Sequence, residues 1–444
     1  MSNPTGITNG HLKKWQDDFA LLQSFVGDSW GEASEIKRDA MAEFVRQGFP
    51  STKWEEWKYT SVRSISERKN APVVRLPQLP NLEKIKTFFR SRAPQNLQSH
   101  HVVLVDGHFH PELSHIHEDD GLTILPLKEA IKNGLTTPYF GKIADRKATP
   151  FVALNTAMAF DGVFIHLEKN QTARYPVTVF HLSLSPGGET ATYSRKLIVA
   201  EANSELKVVE QWLQWPGANS FETHVGEIQV MADARVELST IQNEDGLELI
   251  NFTQVNQERQ SRFQSNVVTL RGQLIRNNLH ALHQGEHCET YMNGLYLLDG
   301  RAHVDNHTLV DHALPNCYSN ELYKGVLSGE ATAVFNGKVM VRPDAQKTNA
   351  FQSNKTLILS DGATINTKPQ LEIFADDVKC SHGATTGQLD ETAMFYLRSR
   401  GLDKKRARVL LTYAFASEVI DKVTIPELKD HLSAYVTERL LEGE

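Results

Sequence analysis

Between Gly162 and Phe374 the chain reads as an unbroken succession of short segments rich in Val, Ile, Leu and Thr, among them GVFIHLE, VTVFHL, RKLIVA, GEIQVM, RVELSTI, GLYLL, GKVMV, TLILS and LEIFA. Turn dipeptides punctuate the run at Asp161-Gly162, Asp245-Gly246, Asp299-Gly300 and Asp361-Gly362. No stretch of helical length and period interrupts it. That excludes a doubly wound α/β sheet, whose strands must alternate with crossover helices. An all-β middle of this extent is either a sandwich or a stacked coil, and its length as one unit favours a solenoid such as a β-helix. The segments share no strict repeat period, so pattern alone leaves the two open.

Both ends of the chain read as helical. Leu12, Trp15, Phe19, Leu22 and Val26 recur at three- and four-residue spacing, and Ala33, Ile36, Ala40 and Phe44 repeat the pattern before Gly48-Phe49-Pro50 breaks it. The aromatic segment KWEEWKYTS follows, its rings suited to docking on a core. A short helix is expected near Leu79–Ala93, then an apolar strand, HVVLVDGHFH, closed by an Asp106-Gly107 turn. Near the C-terminus Asp403 is placed to cap a helix with Ala407, Leu410, Leu411 and Ala414 on one face. Thr424 and Glu427 form a capping-box pattern before Leu428, Leu432, Tyr435 and Val436. The expected organisation is a helical region over 1–95, a β-rich core over 96–380 with a lead-in strand segment at about 100–160, and a helical region over 381–444.

A chain of 444 residues exceeds a single ordinary core, whose growth stops near ~250–300 residues. A formal charge of −7 argues against a constitutive nucleic-acid binder, whose footprint is a basic domain. The sequence has no apolar run near the ~20 residues a membrane helix needs, and MSNPTGITNGHLKKWQDD lacks the apolar centre of a secretory signal, so a cytoplasmic protein is expected. Three cysteines, Cys288, Cys317 and Cys380, are too few and too scattered for a disulfide framework. One chain also cannot supply the four thiolates of an all-cysteine iron–sulfur site.

The chain has no GxxxxGK[ST], HExxH or CxxC, so no P-loop ATP hydrolysis is expected of it. Cys380-Ser381-His382 is the local feature with most chemistry. On an extended strand, alternate residues share a face, which brings a thiol and an imidazole together. Sulfur with imidazole nitrogen suits iron, iron–sulfur clusters, zinc or copper, although a lone Cys-x-His also arises by chance around a small buried cysteine. His280, His283 and His287 beside Cys288 have ligand-like spacing, but on a strand His280 points away from the other two. That group, and His100, His101, His108, His110, His115 and His117, are read as solvated or hydrogen-bonded histidines. Arg398, Arg400, Lys404, Lys405, Arg406 and Arg408 form a basic run, read either as a solvated face or as a docking surface for an acidic groove.

Taken in order, several segments resemble the SufB/SufD family of iron–sulfur cluster assembly scaffolds, and its SufD members more than its SufB members. They are GFPSTKWEEWKYTS from Gly48, FVALNTAMAFDGVFIHL from Phe151 and NGLYLLDGRAHVDNHTLVDH from Asn293. The likeness is densest through SNELYKGVLSGEATAVFNGKVMV and on to KCSHGATTGQLDETAMFYLRSRGLDKKRARVLLTYAF. The resemblance implies a right-handed parallel β-helix core with helical N- and C-terminal regions, and a scaffold subunit that is not itself an enzyme. It implies partnership with SufB and the ATPase SufC, or a homodimer when isolated, with no nucleic acid or membrane involved. SufC would dock on the C-terminal helical region from about Arg398, at Arg398, Arg400, Gly401, Arg408, Leu411 and Phe415. Cys380 and His382 match positions implicated in handling iron or a nascent cluster at the SufB interface; this chain alone would bind no cofactor stably. HALHQGEHCET around Cys288 departs from the family pattern and receives no role from it.

The rival from another class is a cytosolic β-helix enzyme acting on carbohydrate, with Asp376-Asp377 as its acids. Glycoside cleavage needs two carboxyls facing one bond, roughly 5–10 Å apart, whereas strand neighbours point to opposite faces.

Overall fold

The apolar series at the start of the chain form α1 (Asn9–Val26) and α2 (Ala33–Gln47). Leu12, Trp15, Leu22, Ala40 and Phe44 are buried as their spacing predicts, and Trp15, Phe44 and Phe49 pack edge to face with centroids 5.2–6.4 Å apart. The computed structural model describes residues 9–26, 30–31, 33–79, 81–185 and 188–442. Met1–Thr8, read above for a signal, and the side chain of Val26 lie outside the described residues. Gly48 ends α2 at φ +68°, its N–H donating to Phe44 O at 2.8 Å, a C-cap that favours glycine. Trp57 is buried as the docking reading expects, and Tyr59 is exposed.

Short helices follow: α3 (Arg63–Glu67), α4 (Leu82–Arg92), α5 (Leu127–Lys132) and α6 (Pro150–Met158). Asn81 caps α4 and Thr149 caps α6, each accepting a backbone N–H three residues on. Every residue of α6 is buried, which is why it carries no amphipathic period. The expected lead-in strand segment therefore contains two helices as well as the hairpin around Asp106-Gly107.

The middle of the chain is a parallel β-solenoid of about eight turns. Consecutive strands enter opposite sheets, so each sheet stacks alternate strands. One sheet climbs from Asp161–Leu167 to Thr364–Ile373, the other from Val177–Ser183 to Lys379–Gly387. Their ladders are parallel throughout, which decides for the solenoid over the antiparallel sandwich. Equivalent positions recur after 27 residues from Arg235 to Arg262, 29 from Glu289 to Tyr318 and 31 from Tyr318 to Asn349, so no strict repeat exists to be found.

Side chains alternate between the solenoid's interior and its outer faces. Tyr296, Leu298, Tyr323 and Leu327 fill the interior, while Leu295, Leu297, Leu322 and Val326 point outward beneath the C-terminal helices. Burial on both faces explains why these strands read as continuous apolar runs rather than alternating ones.

The last strand runs Lys379–Gly387, so the boundary expected at 380/381 falls inside it. Its Gly, Ser and Thr residues resemble a loop in composition because an end strand has no second neighbour to pack against. Helices α7 (Glu391–Ser399), α8 (Lys404–Ile420) and α9 (Pro426–Glu442) follow. Asp390 and Asp403 cap α7 and α8. Helices α8 and α9 bury Ala416, Val419, Ile420, Leu428, Leu432 and Val436 against the outer face of the second sheet. The Thr424–Glu427 capping box does not form. Thr424 directs its hydroxyl to the Glu237 carboxylate on the solenoid, and its N–H donates to Glu237 Oε1 at 3.1 Å. Among the described residues no helix is long and apolar enough to cross a membrane.

Candidate functional site

Cys380 and His382 lie on the last strand, whose backbone pairs on one side only, with Asn349–Ile358. The register places Cys380 over Ala350, Ser319 and Thr290, and His382 over Gln352, Glu321 and Met292. Those residues beneath are buried, so both side chains belong to columns that line the interior, met here at its open end. Cys380 is half-buried and packs with Val339, Val341, Ala345, Ala350 and Ala375; burial pushes its thiol up. His382 is exposed. Two rungs below it, burial pushes the Glu321 carboxyl up to about 7, and the Thr308 hydroxyl donates to it.

The two open edges differ. Lys379 N–H donates to Thr348 O at 2.9 Å, so on this strand the N–H groups of Cys380, His382, Ala384 and Thr386 alternate outward. On the companion edge, Thr364 N–H donates to Ala331 O, which turns position 369 outward, and a proline stands there. Pro369 removes a donor from that edge and guards it; the Lys379–Gly387 edge has no such guard.

Among the described residues, ligating side chains gather in threes at two places only: His283 with His312 and Cys317, and His181 with Glu210 and His224. Cys380 and His382 belong to neither. In the second group Lys196 Nζ lies 2.5 Å from Glu210. Burial alone would raise that carboxyl, but Lys196 and the two imidazoles overcome it and hold it well below the usual range.

The remaining residues named from sequence are dispersed. His100 pairs with Asp119 at 3.1 Å and His108 with Val73 O at 2.9 Å, as hydrogen-bonded histidines should. His280 packs against Phe252, and His287 is exposed in a turn. Asp376 and Asp377 are neighbours on an exposed turn and do not face each other across a cleft. Arg398, Arg400 and Gly401 are exposed and Leu411 is half-buried. Arg408 leans onto the solenoid, donating to Leu359 O at 3.5 Å, and Lys324 Nζ sits 4.3 Å from the Phe415 ring, so these two also serve the chain's own packing. On α7 Phe395 and Tyr396 are exposed, which periodicity did not single out, and on α8 the face expected from Ala407, Leu410, Leu411 and Ala414 splits, Ala407 being buried and Leu410 and Ala414 exposed.

Residues 183–415 match the SufBD core domain of the SUF system for FeS cluster assembly, and residues 22–179 match the SufBD protein N-terminal region. The chain is 33% identical over 409 residues to an iron–sulfur cluster assembly SufBD family protein of Synechocystis, covering 88% of each chain. It is 30% identical over 422 residues to the iron–sulfur cluster assembly protein SufD of Escherichia coli, covering 93% of this chain and 95% of that one. A 26% identity over 346 residues links it to SufD of Bacillus subtilis, covering 74% and 77%.

Proposed function

The chain belongs to the SufBD family of the SUF iron–sulfur cluster assembly system, and from that membership we propose that it is a non-enzymatic cytosolic scaffold that works with SufB and the ATPase SufC. The observation that carries this reading is the position of Cys380 and His382 on one face at the open, unguarded end of the solenoid, with no third ligating side chain gathered with them among the described residues. Two soft ligands on one chain grip iron or a nascent cluster weakly. A partner strand added to the Lys379–Gly387 edge brings further ligands alongside and completes the set. The cargo is thus held only while the two scaffolds are paired, and leaves when they part. SufB is the natural occupant of this edge, and a second copy of the chain takes its place when the protein is isolated.

The exposed Phe395, Tyr396 and Leu410, rimmed by Arg398 and Arg400, support docking of SufC on the C-terminal helices. ATP-driven movement of SufC then acts on a scaffold pair whose equilibrium it biases through its differential affinity for two arrangements.

The test is to purify the chain with whatever travels with it, then assay iron and acid-labile sulfide on the complex carrying Cys380→Ala or His382→Ala. Co-purification of SufB and SufC with loss of cluster in both variants is expected. Unchanged cluster content in both removes the cargo role of the pair and leaves the scaffold.

A further inference from the structure

Deep in the solenoid, two consecutive turns repeat a small motif. His283 and Cys288 on one turn are matched by His312 and Cys317 on the next, a His-x4-Cys pattern recurring after 29 residues. All four side chains are buried. We propose that His283, His312 and Cys317 form an internal site for one borderline-soft divalent ion, zinc or ferrous iron.

The geometry is that of a ligand set slightly opened. One ligating atom from each of the three lies within 4.8 Å of the others, and the two Nδ1 atoms face each other at 3.1 Å. Around a tetrahedral zinc ion, nitrogen and sulfur ligands stand roughly 3.3–3.6 Å apart, so closure asks for shifts of order 1 Å or less.

Hydrogen bonds fix where the lone pairs point. Gln257 Nε2 donates to Glu289 O at 3.1 Å, which turns its Oε1 toward Thr290, and the Thr290 hydroxyl donates to that oxygen. That hydroxyl must then accept from His283 Nε2–H, 2.7 Å away, leaving the lone pair of His283 on Nδ1, aimed inward. His312 is its counterpart, with Nε2 2.9 Å from the Ser319 hydroxyl. Without an ion, His312 Nδ1–H donates to His283 Nδ1. With one, the His312 proton moves to Nε2 and is accepted by Ser319, so both Nδ1 lone pairs face the cation. Orientation of both rings through their outer nitrogens is the support that metal-bound histidines require. Burial keeps both imidazoles neutral, His312 down to about 3. Binding releases one proton, from Cys317. Cys288, on the turn below Cys317 and hydrogen-bonded with it, is a second sulfur beside the site.

The second three-ligand cluster offers no such place, since the Lys196 ammonium already compensates Glu210. The turn Gln284–His287 lies beside the proposed site, Cys317 Sγ donating to Gly285 O at 3.4 Å, and its Glu286 and His287 are exposed. Cys380 stands two strands above Ser319, roughly 9–10 Å away, too far to be a ligand. The inference therefore shares no residue with the cargo reading.

The full chain, stripped with a chelator and titrated with Co2+ as a spectroscopic probe, is expected to bind one ion with a thiolate-to-cobalt charge-transfer band. Zn2+ should displace it. Cys317→Ser should abolish the band, His312→Asn should weaken binding at least tenfold, and Cys380→Ser should leave both intact. X-ray absorption on the zinc-loaded wild-type chain, which needs no variant, is expected to show nitrogen and sulfur ligands. Oxygen-only coordination, a band that survives Cys317→Ser, a band that vanishes in Cys380→Ser, or absence of binding by the folded chain would each overturn the proposal.

Discussion

The guanidinium of Arg276 lies 2.7 Å from the carboxylate of Asp305 on the outer face of the solenoid, and the Arg276 side chain also stacks 3.8 Å from the centre of the Trp57 ring. Both charges are buried, Arg276 donates to Glu56 O at 2.8 Å, and the Thr60 hydroxyl reaches Asp305. One ion pair therefore fastens the KWEEWKYTS segment to the β core. Burial alone would raise the Asp305 carboxyl, but Arg276 overcomes it and the net shift is downward.

Removing one partner leaves the other charged and buried. Asp305→Ala and Arg276→Ala should each cost about 3–5 kcal/mol. Urea denaturation followed by tryptophan fluorescence will measure this, with the N-terminal segment loosening first. Equal stability of either variant and wild type refutes the anchoring role.

A pair of glycines is expected to be intolerant for a different reason. Gly294 ladders with Tyr323 and Gly325 with Tyr296, and a Cβ on either glycine would meet the opposing ring at 2.2 and 2.1 Å respectively. Gly294→Ala and Gly325→Ala should each destabilise by about 1–3 kcal/mol through overpacking. Thermal melts check it, and Tyr323→Leu should rescue Gly294→Ala but not Gly325→Ala.

Stability should also carry a pH signature from Glu222. Burial first, and the nearby Asp106 carboxyl second, push its pKa up to about 8 from an ordinary value near 4.5. Between those values the folded state binds more protons than the unfolded one, so its contribution is fully present below pH ~4.5 and is lost as pH rises toward 8. Glu222→Gln does not titrate and keeps an acceptor for the Ser220 hydroxyl, 3.3 Å from Glu222 Oε1. Relative to wild type it should gain stability from pH 5 to pH 8, on the order of a few kcal/mol. A parallel decline in both proteins across that range would count against the assignment.

At the open end, Ala384→Pro removes an N–H that points away from the neighbouring strand. It should leave the melting temperature nearly unchanged while weakening capture of SufB at least tenfold, whereas proline on the already guarded companion edge, at Leu371, should have little effect. Pull-down with each variant decides between the two edges.

Much of this architecture was legible from residue pattern. The helical ends follow from apolar spacing such as Leu12–Trp15–Leu22, and the shared face of Cys380 and His382 follows from strand alternation. Length favoured a solenoid, but pattern alone did not decide it against a sandwich, because coil length drifts between turns and because residues such as Leu295 and Tyr296 are buried on opposite faces of one strand. The meeting of His283 with His312 was not legible. These residues are brought together by inter-turn register alone, and the local spacing of His280, His283 and His287 drew attention to two residues that stay apart from them. Thr424 shows the remaining limit: a local capping pattern yields when a tertiary carboxylate, Glu237, offers its hydroxyl a better partner.

Every inner rung of the stack is clamped from above and below, whereas Lys379–Gly387 rests on one neighbour. The residues proposed to hold cargo are thus placed where the ladder still has an open side. A partner strand paired with this edge would give them the second neighbour that every inner rung already has, and its departure would take that neighbour away.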